Sequence, residues 1–209
     1  MASTQFDPQN LSPRDIYLKM VSVITPRPIA WVSTISNAGV HNLAPFSFFN
    51  GVAANPPSVV FSPVNRRDGS KKDTILNIQE NGEFVINTVS QQTAQAMNQS
   101  AADYDASVSE IKAIGLTPLE STTIKPYRIK EAAVHLECKL IQIVNIGQGP
   151  LAANLVIGEI LMMHINDQIL DQNQNVIPEK LDNIGRMGGS DYATTRDTFQ
   201  IPRIINPEK

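Results

Sequence analysis

The sequence predicts a mainly β protein of the α+β class, with a β-barrel at its centre and short helices around it. Several segments have the apolar pattern and the length of strands, whereas segments with helix signals are few and short. Strands and long helices also do not follow one another regularly, as a doubly wound parallel sheet would require. The pattern therefore favours a barrel over a doubly wound sheet.

The first predicted element is a short helix that begins at Pro13. Ser12 is a good N-cap, proline is favoured at the first helical position, and Asp15 places an acid in the first turn. We expect this helix to end at about Met20.

Arg27 follows the helix between two prolines, Pro26 and Pro28, which stiffen the backbone on both sides of it. A guanidinium held in this way can reach a phosphate or a carboxylate. The alternative is a surface ion pair, and the residues alone favour that alternative.

Residues 28–36 are typical of a strand, because β-forming side chains alternate along them. This alternation places Ile29 and Trp31 on one face of the strand and Ala30 and Val32 on the other.

A turn at residues 37–39 leads into a returning antiparallel strand at residues 40–47. Pro45 interrupts this second strand, since proline cannot donate to a sheet ladder. After a break at residues 55–57, residues 58–62 indicate a further, buried strand.

Residues 65–72 form a polar loop that leads into a short helix, starting at Asp73 and closed by Asn81 and Gly82. The helix N-terminus, with its lysine pair and Thr74, is a candidate phosphate site. The Asp73 carboxylate opposes an anion there unless it serves as the helix N-cap. Without other evidence, this pattern is more often a solvated cap.

The second half of the chain shows the same mixture of strands, turns and short helices. The predicted elements are a strand at 83–89, a helix capped by Ser90, a helix opened by a Ser107–Glu110 capping box and ending at Gly115, a turn-rich bridge at 116–128, a strand from Val134 to Leu140 whose change of phase at Ile141 indicates either a bulge or a strand buried on both faces, a strand at 154–166, a turn at 171–175, and a polar tail from Gly185.

Composition bounds the class of protein. The 209 residues suit one domain, and a net charge of −3 with dispersed basic residues gives no footprint for nucleic acid. No apolar run is long enough to cross a bilayer, and the first residues are too polar for a secretory signal. The lone Cys138 is predicted to be a buried thiol. These features predict a soluble, cytoplasmic protein.

Common catalytic motifs are missing from the sequence. It contains no G-x-G-x-x-G, G-x-S-x-G or Walker A pattern, which argues against Rossmann, hydrolase and P-loop chemistry. The three histidines have no metal-ligand spacing, and we expect structural roles for His135 and His164. We therefore predict no metal site and no catalytic side chain. Chemistry carried out by a cofactor remains compatible with this result.

Several motifs resemble those of the flavin reductase-like family. They are RPIAWVST (27–34), NLAPFSFF (42–49), PP-x-VVFS (56–62) and KDT (72–74), followed by NGEFVINTV (81–89), LEC (136–138), VIGE (156–159) and RMGG-x-x-Y (186–192). The family includes flavoredoxins and the small reductase components of two-component monooxygenases. The resemblance covers roughly residues 13–192 and implies a single domain (1–209) with the Greek-key split β-barrel that binds FMN.

The resemblance also implies a site. Strand-edge amides would face the flavin ring, hydroxyls the ribityl chain, and a basic helix N-terminus the phosphate; the alternative for residues 44–46 is an ordinary barrel corner. The implied FMN contacts are Arg27, Asn42, Ala44, Pro45, Phe46, Ser47, Ser62, Lys72, Asp73 and Thr74. Arg186 and Tyr192 would close the pocket or contact a second subunit of a homodimer.

The function implied is transfer of hydride from NADH or NADPH to FMN, and of electrons onward to free flavin, a redox protein or a partner monooxygenase. Short-chain flavin reductases often carry a histidine shortly before V-x-G-E, where this chain has Ala152, Ala153 and Asn154. An alternative is therefore a flavoredoxin-like electron carrier without its own nicotinamide site. A third is a split-barrel protein for another planar ligand, such as haem or pyridoxal phosphate.

Overall fold

The structure, a computed structural model, describes residues 1–203 and is organised around a seven-stranded antiparallel sheet. The strands of this sheet are β1 (Ala30–Ile35), β2 (His41–Phe46), β3 (Phe49–Ala54), β4 (Pro57–Phe61), β5 (Glu83–Asn87), β8 (Val134–Ile146) and β9 (Ala153–Ile165). Their order in the sheet is β2-β1-β5-β8-β9-β4-β3, so β2 and β3 lie at its two edges.

Two small hairpins and several short helices surround the sheet. The hairpins are β6 (Pro118–Leu119) with β7 (Arg128–Ile129), and β10 (Ile184–Arg186) with β11 (Tyr192–Thr194). The helices are α1 (Pro13–Val23), α2 (Asp73–Asn81), α3 (Ala94–Gln99), α4 (Glu110–Ala113) and α5 (Pro178–Leu181), with 3₁₀ turns at Pro8–Asn10 and Asp167–Ile169. Within residues 1–203, none of the helices is long and apolar enough to cross a membrane.

Strand β1 lies between two apolar clusters, which explains why both of its faces are apolar. Ala30 and Val32 belong to the cluster around Phe61 and Phe84. Trp31 belongs to the other cluster, beneath α3 and α4, and its indole Nε1 donates to Ser100 Oγ at 2.8 Å. The predicted division of this strand, with Ile29 and Trp31 on one face and Ala30 and Val32 on the other, is confirmed.

The long β8–β9 hairpin bends at irregular positions. Its register shifts between Leu140 and Gln142, which leaves Ile141 without a partner and half exposed, as the predicted bulge requires. Gly158 on β9 is also constrained, since a Cβ atom there would lie 2.3 Å from Phe84 Cζ. The hairpin can cross the aromatic cluster only because this position has no side chain.

Two helices have the predicted starting region. Ser12 Oγ accepts from Asp15 N at 3.2 Å and caps α1, which continues to Val23, three residues beyond the predicted end. Helix α2 ends at Gly82, whose φ of 68° favours glycine. Asp73 is not its N-cap; Lys72 occupies that position and Asp73 is the first helical residue.

Two predicted helix caps are wrong. Helix α3 begins at Ala94, with Thr93 as the cap residue, and Ser90 N donates to Thr93 Oγ1 at 3.0 Å within a preceding turn. Ser107 bonds Asp105 Oδ1 instead of capping α4, which begins at Glu110. In both places a local turn uses the hydroxyl group that the motif assigns to the helix.

Candidate functional site

A narrow first cleft follows the outer edge of β2 and encloses about 60 Å³. Three segments meet around it: the strand itself, the start of α2, and the stretch between α3 and α4. Its lining residues are Asn42, Ala44, Pro45, Phe46, Arg66, Lys72, Asp73, Thr74, Ser100, Ala101, Ala102, Asp103, Tyr104 and Glu110.

The backbone of β2 offers carbonyl groups to this cleft. Leu43 N points away from β1 and donates to Glu110 Oε2 at 2.9 Å. Because polar backbone groups alternate in direction along an antiparallel strand, the carbonyls of Leu43 and Pro45 point to the same outer side. Pro45 has no N–H group, so an acceptor without an adjacent donor faces the cleft at that position.

A buried hydrogen-bond network fixes the inner end of the first cleft. Asn42 Nδ2 donates to Glu110 Oε1 at 2.7 Å, and Thr74 Oγ1 donates to Asn42 Oδ1 at 2.8 Å. Burial raises the pKa of Glu110, although the hydrogen bonds from Leu43 and Asn42 act in the opposite direction. The network holds α2 and α4 against β2, so the start of α2 has a fixed place.

The start of α2 has the properties of an anion site. The N–H groups of Asp73 and Thr74 precede the first intrahelical bonds, and half-buried Lys72 lies beside them. Asp73 Oδ2 accepts from Arg66 Nη2 at 2.7 Å, and Arg66 also bonds the Lys71 carbonyl. The negative charge of Asp73 therefore has a partner, which removes the electrostatic objection to an anion at this end.

A second cleft continues from the first and encloses about 270 Å³. The two clefts share Pro45, Phe46 and Ala101, so they adjoin along the last residues of β2. The remaining lining residues of the second cleft are Tyr17, Ile29, Ser47, Met97, Asn98, Arg186 and Tyr192.

Residues 21–180 match the family model described as "Flavin reductase like domain". The chain belongs to this family. It is 42% identical over 177 residues to an uncharacterized protein of Aquifex aeolicus, an alignment that covers 85% of this chain and 88% of that protein. It is also 36% identical over 201 residues to the Bacillus subtilis protein YwrF, covering 95% and 98%.

Two solved structures agree with this assignment. Nitrilotriacetate monooxygenase component B from Bacillus cereus superposes with a TM-score of 0.91 at 35% identity, covering 96% of this chain and 100% of the other. The 2-nitrobenzoate 2-nitroreductase NbaA of Pseudomonas fluorescens has a TM-score of 0.86 at 30% identity, covering 99% and 100%.

The fold itself is shared with a split barrel domain from Shewanella frigidimarina, with a TM-score of 0.82 at 23% identity, covering 97% of this chain and 100% of the other. The predicted split barrel is therefore confirmed. The chain is a flavin reductase-like oxidoreductase of a flavin-binding family.

The fold brings together most of the residues that the flavin reductase-like motifs predicted. Asn42, Ala44, Pro45, Phe46, Lys72, Asp73 and Thr74 line the first cleft. Pro45, Phe46, Ser47, Arg186 and Tyr192 line the second. Ser62 lies outside both clefts, just after β4, where its N–H donates to the Phe48 carbonyl at 2.9 Å.

Arg27 does not form the surface ion pair that the residues alone favoured. It is only 4% exposed, and its guanidinium donates to the carbonyls of Val21 and Ile24, both at 2.6 Å, and of Met187 at 3.0 Å. Its Nε also donates to Ser47 Oγ at 3.3 Å. The surface ion pair is therefore wrong, and Arg27 supports the wall of the second cleft from behind.

Sequence reasoning missed three parts of the site: Arg66, Glu110 and residues 100–104. Arg66 lies in the polar loop before α2, where its charge gave no specific signal. Glu110 was assigned to a capping box, but its carboxylate bonds β2 instead. Residues 100–104 carry no motif and reach the cleft because Ser100 is held by Trp31.

The histidines predicted to be structural are bonded within the protein. His135 Nε2 lies 2.9 Å from the Ile129 carbonyl, and His164 Nε2 lies 2.6 Å from Glu137 Oε1. Cys138 is fully buried, as predicted. Within the part of the chain that the structure describes, no group of three or more His, Cys, Asp or Glu side chains is placed to hold a metal ion.

Proposed function

We propose that this flavin reductase-like protein binds FMN along the outer edge of β2 and acts as an NAD(P)H-dependent oxidoreductase. The observation that carries the proposal is the groove along β2, which joins an anion site at α2 to a strand edge at Pro45 and opens there into the second cleft. Asn42 to Ser47 spans about 17 Å at the rise of an antiparallel strand. A phosphate, a ribityl chain and a ring system laid end to end need a groove of this kind.

The residues at the α2 end fit the phosphate group. Lys72 supplies a positive charge, and the backbone N–H groups of Asp73 and Thr74 supply donors at the positive end of the helix dipole. Among residues 1–203, no carboxylate lies within 4.0 Å of the Lys72 ammonium group. Its charge is therefore available to a ligand.

The residues at the Pro45 end fit the ring. Ala44 is small enough to let the backbone approach a planar group, and the outward carbonyls of Leu43 and Pro45 are acceptors for a ring N–H donor. Bound FMN would supply the hydride chemistry, while the protein binds the flavin, orients it and limits the access of water.

We propose NADH or NADPH as the hydride donor, and free flavin, a redox protein or a partner monooxygenase as the acceptor. Support for an onward acceptor comes from two related structures, named as nitrilotriacetate monooxygenase component B and as a 2-nitrobenzoate 2-nitroreductase. These names refer to different reactions, so we propose only a class of acceptor for this chain.

A second candidate is an FMN electron carrier without its own nicotinamide site. One observation favours it: Asn154, near the place where short-chain flavin reductases often carry a histidine, is only 3% exposed. Its Nδ2 donates to Asn65 Oδ1 at 2.8 Å and to the Pro63 carbonyl at 3.3 Å. This side chain is committed to holding the loop before α2.

An anaerobic absorbance titration of the FMN-loaded protein distinguishes the two functions. We expect NADH or NADPH to remove the oxidised-flavin band rapidly. If dithionite reduces the flavin and neither nicotinamide does, the electron carrier is the correct function. Failure of the protein to bind FMN at all would reject both.

We further propose that the protein is a homodimer. The last residues of β9 expose three large apolar side chains at alternate positions, Leu161, Met163 and Ile165, which are 37–51% exposed. Apolar side chains grouped on one surface are typical of an interface between subunits.

A further inference from the structure

Two arginines face each other across a pair of backbone hydrogen bonds beside the second cleft. Arg27 N donates to the Arg186 carbonyl at 3.0 Å, and Arg186 N donates to the Arg27 carbonyl at 2.8 Å. Like charges directly opposite on paired strands are destabilising. A negative charge beside the pair would relieve this repulsion.

The described part of the protein does not provide that charge. Within residues 1–203, no carboxylate lies within 4.0 Å of either guanidinium. Arg27 donates to carbonyl groups and to Ser47, as described above. Arg186 donates to the Gly189 carbonyl at 2.5 Å, and its guanidinium carbon lies 4.4 Å from the centre of the Tyr192 ring.

The two charges also interact with each other. Burial lowers the pKa of Arg27, and the positive charge of Arg186 lowers that pKa further, although Tyr17 acts in the opposite direction. Arg27 is buried behind the wall, whereas Arg186 is half-buried and lines the cleft. A ligand in the cleft can therefore reach Arg186 directly and experience Arg27 at longer range.

The rest of the second cleft suits a flat apolar group. Ile29, Phe46 and Met97 form its apolar part, and each is at least nine-tenths buried. Aromatic rings gain from contact with such side chains, and sulfur adds a favourable interaction with a ring. The volume of about 270 Å³ leaves room for a single substituted ring.

We propose that the second cleft binds a planar organic anion of the aromatic carboxylate class, with its carboxylate at Arg186 and its ring against Phe46 and Met97. This inference rests on the proposed function, because Phe46 and Pro45 also line the first cleft and would place the anion beside the bound flavin. The proposed anion is the class of substrate that the oxidoreductase would accept.

The nicotinamide ring of the proposed donor brings no negative charge to Arg186, because its carboxamide is uncharged and the negative charges of NADH and NADPH lie on their phosphate groups. A carboxylate in the same place forms charge-assisted hydrogen bonds with the guanidinium, which are about twice as strong as neutral ones. The cleft should therefore distinguish a ring carboxylate from the corresponding amide.

The test uses protein loaded with FMN and follows the visible flavin spectrum while a probe is added. The probes are benzoate, benzamide, which has the ring without the charge, and acetate, which has the charge without the ring. We expect benzoate to perturb the spectrum at concentrations at least tenfold lower than either of the other two.

The variant Arg186→Gln should bind benzoate at least tenfold more weakly and leave benzamide binding unchanged, whereas Arg186→Lys should keep part of the preference. The matched control is Arg14→Gln, which removes an exposed arginine from α1 outside both clefts and should change nothing. The Arg186 backbone pairing is retained in these variants, and circular dichroism checks their folding.

Three results would overturn the inference: equal affinity for benzoate and benzamide, equal behaviour of Arg186→Gln and Arg14→Gln, or no benzoate binding once FMN is bound. The last result would mean that the flavin itself fills the second cleft. Because FMN affinity is measured beforehand in a separate titration, each of these failures is distinguishable from failure of the proposed function.

Discussion

Lys72 and Thr74 carry the proposed phosphate site at the level of single residues. We expect the double variant Lys72→Ala/Thr74→Ala to bind FMN about 10- to 100-fold more weakly, since it loses one charge and one hydroxyl group. Fluorescence titration of apo-protein with FMN measures the change. Lys72→Ala alone leaves the Thr74–Asn42 hydrogen bond intact and should give an intermediate affinity.

Lys71 offers the matched control for that experiment. Its Nζ donates to Gln79 Oε1 at 3.2 Å, and its side chain lies outside the first cleft. Lys71→Ala should therefore keep the FMN affinity of the original protein. If the double variant also keeps it while remaining folded, the phosphate site lies elsewhere.

Glu137 is a second residue whose surroundings determine its chemistry. Its side chain is fully buried. The carboxylate accepts hydrogen bonds from the backbone N–H groups of Thr122 and Thr123, both at 2.7 Å. It also accepts from Thr123 Oγ1 and from His164 Nε2, both at 2.6 Å. Burial opposes ionisation, but these hydrogen bonds dominate and lower the pKa of Glu137 to about 2. The carboxylate fastens the chain before β7 to strand β8.

The lowered pKa of Glu137 predicts a specific pH dependence of stability. The ionised carboxylate stabilises the fold above its unfolded pKa of about 4.3, and this contribution disappears as the pH falls towards 2. Glu137→Gln should therefore lower the free energy of unfolding by about 1–3 kcal/mol at pH 7 and by about half as much at pH 3, which lies between the unfolded pKa and the folded pKa of about 2.

Urea unfolding at pH 7 and pH 3 tests this expectation. Glu120→Gln is the control, because Glu120 is exposed and only its backbone carbonyl accepts a hydrogen bond, from Arg128. A loss for Glu137→Gln that is the same at both pH values would contradict the assigned role of its ionised form.

Most secondary-structure elements could be predicted because their signals are local. Alternation identifies β1 and β8, a hydroxyl cap and proline identify the start of α1, and a glycine identifies the end of α2. Strand β3 lacks such a signal, since it is exposed, small in its side chains and contains Gly51. It exists through its antiparallel pairing with β4.

The caps of α3 and α4 show where local signals fail. A capping box and a tertiary contact compete for the same carboxylate in Glu110, and the contact with Asn42 and Leu43 prevails. That contact joins residues 67 and 68 positions apart, which no local pattern can predict. For the same reason, the local pattern did not identify Glu110 as a residue of the first cleft.

At the scale of the whole molecule, the apolar patterns of the sequence predict a barrel but not the order of its strands. Only the order shows that β2 is an edge strand, and the hydrogen bond from Thr74 to Asn42 places α2 beside it, so the groove depends on tertiary structure. The family motifs supplied the missing information for Lys72 and Thr74. They did not supply the internal hydrogen bonds of Arg27, whose partner Met187 lies 160 positions away.

The proposed homodimer is tested on the whole molecule. Sedimentation equilibrium should give a mass of twice 22.9 kDa, because the exposed apolar side chains at the end of β9 would be covered in a dimer. Replacing both Leu161 and Met163 with glutamate should shift the equilibrium towards monomer. A purely monomeric original protein at micromolar concentration would reject the proposal.

The pairing of Arg27 with Arg186 has a consequence for how the protein is made. A ribosome adds about 5–20 residues per second, so roughly 10–30 s separate the synthesis of these two arginines. Until the β10–β11 hairpin emerges, the second cleft lacks the wall that holds Arg186 and Tyr192. A nascent chain can therefore form the α2 end of the groove early, but its complete binding surface appears only near the end of translation.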